Sequence, residues 1–178
     1  MPEEIEVPIE KLTESIKEEA EKYAEKWVLW VALSTAILAV FAALCSLMAG
    51  HHANEALIEQ IQSADHWAYY QAKGIKATVL ESKMETLQAL GRQISSKDEE
   101  KFKDYKKEQK EIEEQAKEKE KSSSDHLTAH KILARAVTVF QIAIAIAAIS
   151  VLTRRKWLWY GSCALGLVGL IFLLQELL

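Results

Sequence analysis

The chain has 178 residues, 49% of them hydrophobic, and 22 Lys and Arg against 26 Asp and Glu give a net charge of −4. Three stretches, Trp27–Gly50, Ala136–Thr153 and Trp157–Gln175, carry no charge, which leaves the remainder about 41% charged. Such separation into blocks marks a membrane protein with a very polar extramembrane part; with two Cys, six Gly and two Pro, it excludes a disulfide scaffold, a turn-rich β architecture and a basic nucleic-acid-binding domain.

Residues 1–26 hold Pro8, a favoured first helical residue, then Leu12, Ile16 and Tyr23 at a helical spacing that continues to Trp27. The spacing predicts an amphipathic helix. Its nine Glu against four Lys disfavour an anionic lipid surface and favour a solvated or oligomer-packed arm. Residues 27–50 follow as a first transmembrane helix, about 36 Å long against a hydrocarbon core of about 30 Å. The run is too long, and the arm before it too acidic, for a cleavable signal peptide.

Residues 51–132 read as a helical hairpin. Leu57, Ile61, Ala64, Ala68 and Ile75, then Leu80, Met84, Leu87 and Ile94, form a coiled-coil seam. A turn is expected at 94–99, where Ser96 and Glu99 make a capping box that starts a new helix near Lys97. The returning helix shows Phe102, Tyr105, Gln109, Ile112 and Ala116 at alternating steps, and Ser122–Ser124 is expected to break it, with Ser124 as a fresh N-cap. Two arms of about 66 and about 54 Å would make a stalk that leaves the bilayer and returns to it. Residues 133–153 and 157–175 then form transmembrane helices two and three, joined by Arg154-Arg155-Lys156. That basic loop, with Lys17, Lys22 and Lys26, places the N-terminus in the cytoplasm and the hairpin outside a cell (inner) membrane. Trp27, Trp30, Trp157, Trp159 and Tyr160 would mark the cytoplasmic interface. Cys45 and Cys163 fall in opposite leaflets and read as structural filler.

The run from Ser63 through His66-Trp67-Ala68-Tyr69-Tyr70-Gln71-Ala72-Lys73-Gly74-Ile75-Lys76, followed by Phe140-Gln141-Ile142-Ala143-Ile144-Ala145, resembles the prokaryotic membrane family called domain of unknown function 4337. The order of elements agrees: one span, a polar helical insert, two closely spaced spans. The resemblance implies the architecture and carries no activity.

Four constellations bear on function. Trp67, Tyr70, Gln71, Lys73 and Lys76 form an interaction motif, in which Trp67, Tyr70, Lys73 and Lys76 share one helical face. Packing inside a helical bundle weighs more here than ligand stacking. Thr138, Gln141, Ala145 and Ala148, continuing a stripe from Ala134, suit helix packing or a pore lining. Ser162 and Gly166 form another small-residue pair. His51, Glu55, His126 and His130 have the spacing for a four-ligand metal site, against which stands ordinary hydrogen bonding of interfacial histidines. No span has an interior charge for proton relay, and no nucleophile elbow, phosphate loop or C-x-x-C occurs.

The expected protein is all-α, non-enzymatic and without cofactor. It has three transmembrane helices and a coiled hairpin that self-associates as a scaffold or interaction element. The alternative is a homo-oligomeric channel lined by the second span. Expected partners are the lipid bilayer, further copies and another membrane or envelope protein, not nucleic acid.

Overall fold

The structure is a computed structural model that describes residues 26–177. The helix expected within residues 1–25 lies outside the described residues. Three α-helices make up the rest: α1 (Lys26–Ala89), α2 (Ser96–Leu152) and α3 (Lys156–Leu177). Among the described residues there is no strand. The apolar run of α1 continues into the polar seam as one 64-residue helix. Gly50 alone, with no Pro, is too weak a breaker to divide it.

Where each helix stops is a matter of backbone chemistry. α1 closes with Arg92 N–H on the Leu87 carbonyl at 2.9 Å and Gly91 N–H on that of Gln88 at 3.0 Å, with Gly91 at φ 66°. This is a Schellman motif, in which a left-handed residue satisfies the last carbonyls. α2 ends in the same way. Arg155 N–H reaches Ser150 at 3.1 Å and Arg154 N–H reaches Val151 at 3.2 Å, but here the left-handed residue is Arg154 at φ 54°. Three residues, 153–155, separate α2 from α3.

Two sequence expectations need correction. α2 begins one residue earlier than the Ser96/Glu99 box implies, since the Ser95 carbonyl takes the Asp98 and Glu99 amides at 2.9 and 3.3 Å. That makes Ser95 the cap and Asp98 the third helical residue, whose carboxylate accepts a 2.7 Å bond from Lys83. The serine triplet does not break α2. The helix runs unbroken through Ser122–Ser124, because Ser123 is buried and donates across to the Ala56 carbonyl at 2.8 Å. Serine here is a small packing residue, not a cap.

The chain divides into two compact units, residues 47–132 and the segments either side. In the latter, each of the three helices has a stretch long and apolar enough to cross a membrane. The buried side of α2 is Leu133, Ala136, Phe140, Ala143, Ala147 and Ser150, at strict steps of three and four. α3 answers with Ser162, Gly166, Gly169 and Leu173. A Cβ on Gly169 would stand 2.7 Å from the Phe140 ring, and one on Gly166 2.7 Å from a Leu38 methyl. Ser162 donates to the Ala143 carbonyl at 2.8 Å. Phe41 stacks on Phe140 with centroids 6.0 Å apart, and Cys45 is fully buried in the same unit. The small residues let aromatic and leucine side chains fill the space between backbones.

Candidate functional site

The unit 47–132 pairs α1 with α2 antiparallel, and its register is set by a ladder of polar bonds to main-chain carbonyls. His130 Nδ1–H donates to Ala49 O at 2.9 Å, Ser123 to Ala56 O at 2.8 Å, and Gln109 to Tyr70 O at 3.4 Å. Running the other way, Ser63 donates to Ala116 O at 3.0 Å. Each rung advances seven residues along α1 and retreats seven along α2. Ala49, Ala56, Ser63 and Ala77 on α1, with Ala116 and Ser123 on α2, are all buried. Side chains this small bring the helices close enough for a hydroxyl to reach the opposite backbone.

Two ion pairs flank the ladder. Lys119 binds Glu59, with the nearer oxygen at 3.0 Å, and the buried Lys73 is bound by Glu108. Lys73 also lies between two rings, 5.3 Å from the centre of Tyr69 and 5.2 Å from that of Tyr105. Its hydrogen bond to Glu108 holds the ammonium above the ordinary lysine range; burial opposes this and Tyr69 adds to the rise.

The interaction motif is therefore split between two faces. Lys73 points at α2, whereas Gln71 and Lys76 are exposed, so Trp67, Tyr70, Lys73 and Lys76 do not share a face. Trp67 and Tyr70 meet edge to face at 5.5 Å, half-buried between the two. A Cβ on Gly74 would come within 2.6 Å of the Gln109 amide, so glycine gives that amide room beside the Tyr70 carbonyl.

The first half of the α1 seam read from sequence, Leu57 to Ile75, turns outward, whereas Leu80, Met84, Leu87 and Ile94 are half-buried. Leu57 is 61%, Ile61 54% and Ile75 65% exposed. The α2 seam behaves as read: Ile112 and Ala116 are buried, and Phe102, Tyr105 and Gln109 are partly covered. The ladder face is not among the apolar seams of the sequence. Its signal is Ala49, Ala56, Ser63, Tyr70 and Ala77 at sevenfold intervals, visible once small residues are scored as packing positions.

His126 meets His52, not His51, with the two Nδ1 atoms 2.9 Å apart. His130 is committed to the Ala49 carbonyl, and the His51 ring stands 5.5 Å from that of His52. The set His51, Glu55, His126 and His130 does not converge; among the described residues no three His, Cys, Asp or Glu side chains do. On α2, Thr138, Gln141, Ala145 and Ala148 are exposed, on a different face from the buried row through Phe140.

Among the described residues these features define an all-helical fold with three potentially membrane-crossing helices and a closely packed antiparallel helical pair. Residues 27–178 match the family described as Domain of unknown function (DUF4337), and the chain belongs to that family. No curated protein and no solved structure matches it.

Proposed function

We propose that the chain is a non-enzymatic, self-associating, multi-pass membrane protein whose α1–α2 pair serves as a scaffold or interaction element outside the membrane. The observation that carries this reading is the outward seam on α1. Leu57, Ile61, Ala64, Ala68, Gln71, Ile75 and Thr78 follow alternating steps of four and three without a charge, while the pair fills its own interior from another face. Copies inserted in one bilayer share an orientation, so the seam of one α1 meets the same seam of the next in parallel. The N-terminal side and the Arg154–Lys156 loop lie in the cytoplasm on this reading. Lys156 stands 5.7 Å over the Trp27 ring, which puts basic and aromatic residues together at one end of that unit, as an interfacial belt requires.

The test is the mass of the full chain in mild detergent and its cross-linking in intact membranes. Ile61→Glu with Ile75→Glu puts charges into the seam and is expected to shift the protein to the protomer. An unchanged mass rejects the seam as the interface.

A second reading, an oligomeric pore lined by α2, is favoured by the outward placement of Thr138 and Gln141. Conductance across reconstituted bilayers that changes with Gln141→Leu selects it; silent bilayers reject it.

A further inference from the structure

Within the unit 47–132, α1 carries two faces on one sevenfold repeat. Ala56, Ser63, Tyr70 and Ala77 hold the ladder side, buried except for the half-buried Tyr70. A straight helix drifts about 20° per heptad against such a repeat. α1 follows its ladder instead, which keeps its opposite side in line as well. That side holds Leu57, Ile61, Ala64, Ala68, Gln71, Ile75 and Thr78, all exposed and all uncharged. Gln71, Gly74, Ile75 and Thr78, at i, i+3, i+4 and i+7, line a hollow there, with Val79 at its edge. Four residues at these spacings form the hole that receives one side chain from a facing helix. Gly74, having no side chain, leaves it open.

We propose that this hollow receives Ile75 of a second copy, and that the α1 seams pair as a parallel, in-register, two-stranded coil. The inference rests on the self-association proposed above and adds its interlocking side chain, strand number and register. Ile61, Ala68 and Ile75 take the first core position of the heptad, and Leu57, Ala64, Gln71 and Thr78 the second. β-Branched residues at the first position with leucine at the second favour two strands.

The flanks of the seam match in size. Parallel pairing sets each flanking residue against the one five further along the second copy. Ala53 then meets Ile58, Gln60 meets Asp65, Trp67 meets Ala72 and Gly74 meets Val79. Small faces large, or polar faces polar, at every step, and no like charges meet. Gln71 fixes the register, because its amide both donates and accepts and finds its own counterpart only without slip. A slip of one heptad would set Gln71 against Ala64 or Thr78, and Ile75 against Ala68.

The experiment uses the full chain in its membrane, with Cys45→Ala and Cys163→Ala and one new cysteine at a time. Mild oxidation is expected to join two copies through Ala64→Cys, Gln71→Cys and Thr78→Cys, and not through Lys76→Cys. Antiparallel seams bring at most one of the three positions against itself, and slipped parallel seams none, so either result overturns the proposal. In mild detergent, Ile75→Ala removes the inserted side chain and Thr78→Trp fills the hollow. Both positions are exposed in the protomer, so helix content should stay and the mass should fall towards that of one copy. An unchanged mass in either variant overturns the interlock. If Ile61→Glu with Ile75→Glu separates the copies while the three self-cross-links are missing, association through the seam stands and this register falls. If that double variant also keeps its mass, both fall.

Discussion

At the scale of single residues, the hairpin depends on smallness at its rungs. Ser63 is almost wholly buried and bonds to the Ala116 carbonyl. Ser63→Ala removes one neutral hydrogen bond and little volume, and should cost about 1 kcal/mol in denaturant titrations. Ser63→Leu forces the backbones apart and should cost more, about 1–3 kcal/mol from overpacking together with the lost bond. Equal losses in the two variants would mean that helix approach is not what Ser63 provides. Lys73 gives a second test, through pH. Its value is raised in the folded state, chiefly by Glu108, so its contribution is complete below the unfolded lysine value of about 10.4 and is lost as pH rises through the higher folded value. Lys117, raised by its bond to Glu113, follows the same sign. The alkaline fall in Tm above about pH 10.4 should therefore be shallower in Lys73→Gln than in the parent. A fall of equal steepness would show that the Lys73–Glu108 pair does not feel the titration.

At the scale of elements, the two Schellman ends differ in cost. A Cβ on Gly91 would meet nothing within 4 Å, so Gly91→Ala pays only for a left-handed L-residue, about 1–2 kcal/mol. Arg154 already bears that strain at φ 54°, and Arg154→Gly should relieve up to about 1 kcal/mol of it. Thermal unfolding checks both signs; a destabilised Arg154→Gly would assign the arginine side chain a larger role than its backbone. The turn was expected at 94–99, but α1 already closes after Ala89, at the left-handed Gly91. The long apolar runs and the α2 seam were legible because large apolar side chains and charge gaps announce themselves. The ladder was not, since Ala and Ser at sevenfold spacing look like filler until a second backbone is placed against them. For the same reason Ser122–Ser124 reads as a cap in sequence and as a contact in structure. The His52–His126 pairing needs the register that the ladder sets, which periodicity on either helix alone does not give. On α2, Thr138, Gln141, Ala145 and Ala148 face away from the buried row, which leaves the Gln141 amide facing hydrocarbon if α2 spans the bilayer. Interhelical bonds in lipid average about 0.6 kcal/mol, so Gln141→Leu should weaken assembly slightly. Ala145→Leu with Ala148→Leu should block close approach and lower the mass in mild detergent. If the double variant keeps its mass while Ile61→Glu dissociates, the contact between copies lies on the α1 seam alone.

At the scale of the whole molecule, the proposed orientation rests on which ends carry the fixed positive charge. Arg154, Arg155 and Lys156 are three consecutive cations, all exposed, in a turn too short to be carried across as a folded segment. Basic residues in short loops are the ones that vote on topology, whereas a polar segment as long as 47–132 crosses largely regardless of its lysines. On the proposed reading the turn between α1 and α2 lies opposite the turn between α2 and α3, since residues 133–152 of α2 would cross once between them. Cysteines at Ser96 and at Arg155 report the two sides. Both positions are exposed, and the native thiols are removed by Cys45→Ala and Cys163→Ala; Cys45 is fully buried, so the smaller alanine avoids overpacking there. An impermeant thiol reagent added to intact cells should label Ser96→Cys and spare Arg155→Cys until the membrane is opened. The reverse pattern inverts the topology and leaves the three spans intact. Labelling of both positions in sealed cells removes α2 from the membrane, and with it the reading of Gln141 as a group in hydrocarbon.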